Sequence, residues 1–474
     1  MSKILIKNAK AIVTCDGEDR VYRDSDILID GPAIVQIGQD LEAEGAEIID
    51  ARGKFVYPGM VNTHHHFFQT FVRNLITIDY PNLTVMDWID KIYRIFQIID
   101  NDVIYHSSLT AFADLIKHGC TTAFDHQYCY TKKTGTAPVD RQMEAAQLLG
   151  IRYHAGRGTN TLPREEGSSI PENMRETTAE FIKDCERLAK LYHDPKPFSM
   201  SQIVPSPCQI INCYDETFRE TIPMARELGM YMHTHLAEGE NEGIVARFGK
   251  RSLELFEEMG FIGEDVFFAH GWELTPEEHK VLAKYGSGVS HCPGPAILGG
   301  FPILDIKAMQ ERGVLISLGC DGAATNDSSS MLDTLRMGYL MQTYHTKMRG
   351  GSVSAYDMLK CATINGAKTL GRSDLGSLEV GKAADLFMVD VEKMEYTGAL
   401  HDPKNFLARV GATGPVALTM INGKVVWKDG EFPGIDEAKL AAEGEAVCTK
   451  VIRNASDAYK PFTFCSNIKM SGQA

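Results

Sequence analysis

Short apolar segments alternate with longer amphipathic segments throughout residues 59–369, and this alternation restricts the fold more than any other feature of the sequence. Short segments such as VFFAHG and VLISLGCDG have the length and apolar character of buried strands. Longer segments such as TTAEFIKDCERLAKLYH carry apolar residues at helical spacing. Repeated strand–helix alternation is typical of a parallel α/β architecture. Because the region also has the length of a (β/α)8 barrel, we predict a TIM barrel over residues 59–369.

The two ends of the chain differ from this central region. Residues 1–58 contain ILIKNAKAIVT, DILIDGPAIVQIG and EIIDARGKFVYPG, which have the patterns of strands separated by turns. Residues 370–434 contain ADLFMVDVE and a hairpin signal with Asn422-Gly423 at its turn. We predict that the two ends together form one small β-sandwich domain. Residues 435–474 are predicted to form a C-terminal helix followed by a tail.

Charge and cysteine content disfavour several classes of protein. The net charge is −15, with 48 basic and 63 acidic residues, and such a surface repels nucleic acid and anionic membranes. No apolar run of about 18 residues without charge exists that could span a bilayer, and the N-terminus lacks the pattern of a signal peptide. The 11 cysteines never form a CxxC pair. We therefore expect a cytoplasmic, reduced protein, and we further expect a homo-oligomer.

Two histidines follow the first strand of the predicted barrel. The segment is VNTHHH at residues 61–66, where His64 and His66 point to one face of an extended chain and His65 points to the other. Two imidazoles on one face can chelate a metal ion. The alternative is a polar strand end whose histidines are satisfied by ordinary hydrogen bonds.

Later strand ends add further imidazoles and carboxylates. HTHLAE at residues 233–238 offers a histidine and, just past the strand, Glu238 as a general acid or base. Spacing alone does not decide whether His233 or His235 is the ligand, because both have the same parity. His270 and Asp321 end two more segments, although an Asp before Gly is often only a turn. Together these strand ends predict a mononuclear metal hydrolase, since the same edge of a barrel carries the active site.

Several of these segments resemble the signatures of the amidohydrolase superfamily. YPGMVNTHHH, at residues 57–66, looks like the PGxxxxHxH signature. HTHLAE, SHCP and GCDGAATND are similar to the subgroup that deaminates N-heterocycles, which includes guanine, S-adenosylhomocysteine and triazine deaminases. HHHFFQTFVRN, MDWIDKIY, TTAFDHQY and RYHAGRGTN most resemble 8-oxoguanine deaminases and hydroxyatrazine ethylaminohydrolases.

The resemblance implies a (β/α)8 barrel that holds one divalent metal ion, Zn²⁺, and acts on a small heterocycle. It selects His235 over His233 as a ligand. The implied metal ligands are His64, His66, His235 and Asp321. The implied catalytic residues are Glu238, His270 and Asp321, with Glu238 and His270 acting on the attacking water.

We therefore expect metal-dependent hydrolytic deamination of an amino-substituted N-heterocycle, specifically an oxidised purine such as 8-oxoguanine, with release of ammonia. Guanine, an isoxanthopterin-like pterin and a hydroxytriazine are the alternatives. The segment VPSPCQ at 204–209 lacks the arginine that guanine deaminases have there, and the segment 75–85 also departs from the family pattern. Both features disfavour simple guanine deamination.

Other classes of function fit the sequence less well. Cytidine-type zinc deaminases need HxE and PCxxC, whereas here four residues separate Cys208 from Cys213. Ring-opening enzymes of the superfamily bridge two metal ions with a lysine at the end of the fourth strand, and FSMSQIVPSP contains none. A non-catalytic scaffold would lack the ligands that are present here.

Four residues are candidates for substrate binding: Gln69, Trp88, His126 and Arg157. The Gln69 amide can read a ring N–H and a carbonyl, unless it faces solvent at a helix start. Arg157 could hold a carbonyl group, and its alternative role is a structural ion pair. His126 ends another strand, and Trp88 suits stacking on a planar ring or packing in the core.

Overall fold

The computed structural model describes residues 3–74, 85–347 and 351–454. The predicted tail beyond residue 454 and the unusual segment 75–85, apart from its last residue, lie outside the described residues. None of the helices in the described ranges combines the length and the apolar character that a membrane span requires.

The strands fall into three groups along the chain. Five come first: β1 (Ile4–Val13), β2 (Val21–Asp30), β3 (Ala33–Gly38), β4 (Glu47–Asp50) and β5 (Lys54–Pro58). Eight follow: β6 (Met60–Asn62), β7 (Cys120–Gln127), β8 (Arg152–Thr159), β9 (Ser201–Pro207), β10 (Met232–Leu236), β11 (Val266–His270), β12 (Gly288–His291) and β13 (Ile316–Leu318). The last are β14 (Leu386–Asp390), β15 (Leu418–Ile421) and β16 (Lys424–Lys428).

Helices occupy the connections between the central strands, and further helices follow the last of these strands. They are α1 (Val85–Phe96), α2 (Asn101–Lys117), α3 (Pro138–Leu149), α4 (Thr178–Tyr192), α5 (Asp215–Glu227), α6 (Val245–Phe248), α7 (Ser252–Met259), α8 (Pro276–Tyr285), α9 (Pro293–Leu298), α10 (Ile306–Glu311), α11 (Met331–Lys347), α12 (Ala355–Cys361), α13 (Ile364–Thr369) and α14 (Glu437–Asn454). Capping boxes at Thr177 and Thr275 satisfy the first backbone N–H groups of α4 and α8. The predicted C-terminal helix is present as α14.

The eight central strands form two four-stranded parallel sheets, in the order β6-β7-β8-β9 and β10-β11-β12-β13. Hydrogen bonds connect the two sheets at both junctions. The Thr63 N–H donates to the Leu318 carbonyl oxygen at 3.1 Å, and the His235 N–H donates to that of Cys208 at 3.4 Å. The predicted alternation is therefore confirmed as a mixed α/β fold. Every residue of β7 and β8 is buried, as expected for strands of a parallel sheet that is covered on both faces.

Strands from both chain ends share one eight-stranded sheet, with the order β16-β15-β14-β5-β1-β2-β3 and with β4 paired to β1. The predicted joining of the ends is present, but the structure shows a continuous sheet where we predicted a sandwich. The reason is that β5 pairs with β1 on one side and with β14 on the other, so the ends meet edge to edge. The boundaries 1–58, 59–369, 370–434 and 435–474 stay predictions.

A buried ion pair connects the shared sheet to the parallel strands. Arg152, at the start of β8, is fully buried and donates to the carboxylate of Asp385, next to β14. The guanidinium also donates to the Ser199 carbonyl oxygen at 3.0 Å, and Asp385 accepts from the Asn422 N–H at 2.7 Å. Such a pair is costly to break, because removing one partner leaves an uncompensated buried charge.

We predict that Asp385→Ala lowers the free energy of unfolding by about 3–5 kcal/mol, because the Arg152 guanidinium loses its buried counter-charge. Urea denaturation followed by circular dichroism measures this change. Asp50→Ala is the matched control, since it removes an Asp–Arg pair at the surface, and it should leave the free energy of unfolding nearly unchanged. Equal effects of the two substitutions would contradict the structural role of the buried pair.

Candidate active site

The structure brings the predicted ligands together at the carboxyl ends of the parallel strands. His64 and His66 follow β6, and His235 lies in β10. His270 ends β11, and Asp321 comes shortly after β13. All five side chains are buried, and strand alternation sends His65 the other way, where its Nε2 contacts the Ser329 hydroxyl at 2.8 Å.

The distances among these side chains match those of ligands around one metal ion. Oδ1 of Asp321 lies 3.4 Å from His64 Nε2 and 3.3 Å from His66 Nε2. His66 Nε2 lies 3.3 Å from His235 Nε2. Two atoms that each sit about 2.0–2.1 Å from a tetrahedral zinc ion are about 3.3–3.4 Å apart. His64 Nε2 is buried and has no hydrogen-bond partner among the described residues, so these residues fit a bound metal ion.

Hydrogen bonds on the far side of each ring fix the tautomer that a metal needs. The Nδ1–H of His66 donates to the His126 carbonyl oxygen at 2.9 Å, and that of His235 donates to the Cys208 carbonyl oxygen at 2.7 Å. Each Nε2 therefore keeps its lone pair for a metal ion. Burial lowers the pKa of His64, His66 and His235, which keeps the three rings neutral.

His233 supports His64 from behind. Its Nδ1–H donates to the carbonyl oxygen of Phe267 at 2.9 Å, so its Nε2 is an acceptor. That Nε2 lies 3.0 Å from Nδ1 of His64, which must then carry a proton and leave its own Nε2 free. Spacing did not separate His233 from His235, but this geometry favours His235 as a ligand and His233 as the support of His64, and the ligand set stays a prediction.

His270 and Asp321 turn into the site on strained backbone. Their φ angles are +71° and +63°, in the left-handed region that residues other than glycine rarely adopt. The His270 ring stacks on His235, with ring centres 5.3 Å apart, and burial lowers its pKa to about 4. Burial alone would raise the pKa of Asp321, but the His270 and His66 rings in their protonated forms, together with the Gly322 backbone N–H, outweigh burial and lower that pKa.

Glu238 combines a position beside the candidate ligands with a raised pKa. It follows β10, and its Oε2 accepts a hydrogen bond from Gln209 Nε2 at 2.9 Å. Burial, followed by the nearby carboxylates of Asp321 and Glu273, raises the pKa of Glu238 to about 8. A carboxyl group with such a pKa can take up and release a proton near neutral pH.

The site opens into a narrow cavity with mainly aromatic walls. Trp88, Tyr93, Tyr128 and Trp272 line it, and the carboxamides of Gln69 and Gln209 add polar groups. Among the described residues that line this cavity there is no lysine or arginine. The cavity therefore suits a planar, uncharged molecule.

Two of the four predicted substrate-binding residues line this cavity. Gln69 lies in a short 3-10 helix, Phe67–Val72, and is 1% exposed. Trp88 lies on α1 and is 6% exposed. Their contact with substrate stays a prediction.

The other two lie elsewhere, and the prediction for them is corrected. Arg157 is fully buried and donates to the carboxylates of Asp184 and Glu176, both at 2.8 Å. Its guanidinium serves a structural ion pair, the alternative stated above. His126 donates from Nε2 to the Ser206 carbonyl oxygen at 2.8 Å and stacks on His235, so it lies behind the ligands and outside the cavity lining.

The sequence analysis missed Gln209, Tyr128 and Trp272 as parts of the site. Gln209 lies two residues after β9, Tyr128 directly follows β7, and Trp272 follows β11 by two residues. Polar and aromatic residues just beyond every strand end, rather than histidines alone, were the signal that could have found them.

Comparison with protein families identifies the group to which this site belongs. The family model described as "Amidohydrolase family" matches residues 55–426. The chain belongs to the amidohydrolase family. This confirms the resemblance on which the predicted ligand set rests.

Three curated relatives show what this amidohydrolase is similar to. It is 49% identical to hydroxydechloroatrazine ethylaminohydrolase from Pseudomonas sp. strain ADP, covering 95% of this chain and 96% of the relative. It is 32% identical to an isoxanthopterin deaminase from an unknown prokaryotic organism, covering 95% of this chain and 97% of the relative. It is 30% identical to 8-oxoguanine deaminase from Pseudomonas aeruginosa, covering 95% of this chain and 100% of the relative. These relatives support a hydrolytic deaminase of N-heterocycles.

A solved structure extends the comparison to the metal. Atrazine chlorohydrolase from Arthrobacter aurescens TC1, complexed with zinc, has a TM-score of 0.89 and 28% identity, covering 94% of this chain and all of that chain. The neighbours in this family are thus complexed with zinc, and the histidine-rich site described above can bind a metal ion.

We predict that the purified protein contains about one zinc ion per chain, because the three candidate ligand groups among the described residues all share His64. Elemental analysis by mass spectrometry measures this ratio. His235→Ala and Asp321→Ala should lower it well below one. His65→Gln is the matched control, because His65 is equally buried but points away from the site, and it should retain zinc. Two tightly bound ions per chain would contradict the mononuclear site.

We further predict that His233→Leu weakens zinc binding by about ten- to a hundred-fold, because His64 loses the acceptor that fixes its tautomer. Competition with a chromogenic chelator measures the zinc dissociation constant. His233→Gln keeps an acceptor at a similar distance from the backbone and should bind zinc more tightly than His233→Leu. If His233→Leu binds zinc as wild type does, the supporting role of His233 is wrong.

Proposed function

We propose that this chain is a zinc-dependent aminohydrolase that removes an amino or alkylamino substituent from a hydroxylated s-triazine. The observation that carries the proposal is the position of Glu238, a carboxyl group with a raised pKa, beside His66, His235 and Asp321 in one cavity. A proton shuttle next to a metal site is what hydrolysis of a ring C–N bond requires.

Sequence identity to the known relatives and the residues that line the cavity both favour a triazine over the oxidised purine that the sequence analysis predicted. The relative that acts on a hydroxytriazine is 49% identical, whereas the 8-oxoguanine deaminase is 30% identical. Trp88, Ile89 and Pro295 give the cavity an apolar wall that suits an alkyl group on the leaving nitrogen. An oxidised purine is the second candidate, since its lactam edges would also pair with carboxamides.

The fold supports this assignment. We interpret the two parallel sheets as one (β/α)8 barrel, because hydrogen bonds join them at both junctions. In such a barrel the active site lies at the carboxyl ends of the strands, where all the residues discussed here are found. The homo-oligomeric state and the cytoplasmic location stay predictions.

The chemistry divides among three side chains. A zinc ion held at this site would lower the pKa of a water molecule to about 7 and so supply a nucleophile at neutral pH. Glu238 takes one proton of the attacking water at Oε1, because its Oε2 is held by Gln209, and gives it to a ring nitrogen. His270, kept neutral by its lowered pKa, orients the attacking oxygen by a hydrogen bond.

The second proton of the water leaves with the amine. Asp321 Oδ2 faces His270 Nε2 at 4.0 Å and carries this proton to the departing nitrogen. The C–O bond has then formed and the C–N bond has broken. The proton on the ring nitrogen remains, so the product is a lactam together with a free amine.

We predict that Glu238→Gln abolishes turnover while zinc content stays near one per chain. Glutamine keeps the shape of the side chain but cannot accept the water proton, and general acid–base catalysis alone is worth about 10²–10⁴-fold. Steady-state kinetics and elemental analysis on the same preparation measure both quantities. Loss of zinc, or a rate near that of wild type, would show that Glu238 is not the proton shuttle.

A substrate panel tests the proposed class. The panel contains an ethylamino-hydroxy-s-triazine, 8-oxoguanine, isoxanthopterin and guanine, and the assay detects released ethylamine or ammonia. We expect the triazine to have the highest kcat/KM. Faster turnover of 8-oxoguanine would show that the substrate is an oxidised purine and not a triazine. If no member of the panel releases ethylamine or ammonia, the aminohydrolase function is wrong.

A further inference from the structure

The amide of Gln69 has a fixed orientation. Its Oε1 accepts a hydrogen bond from the Ala324 backbone N–H at 3.2 Å, and a backbone N–H can only donate. The atom of the amide that faces Oη of Tyr128, at 3.1 Å, is therefore Nε2. The amide is also tightly packed, because a Cβ at Gly322 would lie 1.9 Å from Gln69 Oε1.

This orientation determines the direction of the Tyr128 hydroxyl. The Nε2 of an amide has no lone pair, so Tyr128 accepts a hydrogen bond from Gln69 and cannot donate one in return. Among the described residues no other group accepts from Oη of Tyr128. The hydroxyl proton is thus left without a protein acceptor, although the tyrosine is only 5% exposed.

The hydroxyl lies where a substrate would be held. Tyr128 lines the same cavity as Glu238 and Asp321. Its ring contacts the ring of His66, with centres 4.8 Å apart, and Phe68 holds it from another side at 5.1 Å. A buried donor that lacks an acceptor is unfavourable, so a ligand that offers an acceptor there is favoured.

We infer that Tyr128 is a specificity-determining residue whose hydroxyl donates a hydrogen bond to a carbonyl oxygen of the heterocycle. Gln69 is a positioning residue that forces this direction by donating to Tyr128. The inference rests on the proposed function, because it names the group that recognises the oxo edge of the substrate. It also changes the role that the sequence analysis gave to Gln69, from direct contact to orientation of its neighbour.

Two substrates and one substitution test the hydroxyl. The substrates are ethylamino-s-triazines that differ only in an oxo group or a hydrogen at one ring carbon. Tyr128→Phe should lower kcat/KM for the oxo compound by about ten- to a hundred-fold. For the compound without the oxo group it should change kcat/KM by less than about three-fold, because no acceptor is lost there. Zinc content should stay near one per chain.

Gln69→Glu tests the orientation. A carboxylate in this position accepts from both Ala324 N–H and the Tyr128 hydroxyl, so the hydroxyl turns away from the substrate. We expect the same loss of preference for the oxo compound as in Tyr128→Phe. The double variant should show no further loss of preference, since both substitutions remove one and the same hydrogen bond.

Tyr153→Phe is the matched control. Tyr153 is fully buried and donates to Gln142 Oε1 at 2.8 Å, outside the cavity lining, so its removal should leave the preference unchanged. Equal losses for both substrates, or an unchanged preference in Tyr128→Phe, would overturn the inference about Tyr128. If the wild-type protein releases no amine from any heterocycle, the proposed function itself fails, and the two failures are therefore distinguishable.

Discussion

The site depends on keeping three buried imidazoles neutral and aimed at one point. Burial lowers the pKa of His64, His66 and His235. The Nδ1–H of each ring donates a hydrogen bond, so the lone pair on each Nε2 is free to bind a metal ion. Two of the three acceptors are backbone carbonyl oxygens, which the strands and the segments after them hold in place. The fold thus fixes the chemical state of the three candidate ligands as well as their position.

The pKa values of the two carboxyl groups of the site, Asp321 and Glu238, are shifted in opposite directions. Asp321 rests in the ionised form, because the His270 and His66 side chains and the Gly322 backbone N–H together lower its pKa despite burial. In the proposed reaction Glu238 exchanges a proton, and burial together with the neighbouring carboxylates raises its pKa to about 8. Their different neighbours therefore drive the pKa values of the two acidic groups in this cavity apart, and the proposed reaction uses this difference.

The sequence was sufficient for the parts of the site that follow from strand periodicity. His64 and His66 share one side because alternate residues of a strand do, and the alternation of strands and helices placed His270 and Asp321 at the same edge. Arg157 and His126 could not be assigned this way, because their roles depend on partners from distant segments, Asp184 and Ser206. The eight-stranded sheet was also beyond sequence patterns, since they do not say that β5 joins both chain ends edge to edge.

The most direct test of this account is the location and coordination of the metal in crystals of the zinc-loaded protein. Anomalous diffraction at the zinc edge should show one peak per chain, with Nε2 of His64, His66 and His235 and a carboxylate oxygen of Asp321 at about 2.0–2.2 Å. A peak bound by His126 or His233, or a second peak of equal height, would contradict the account.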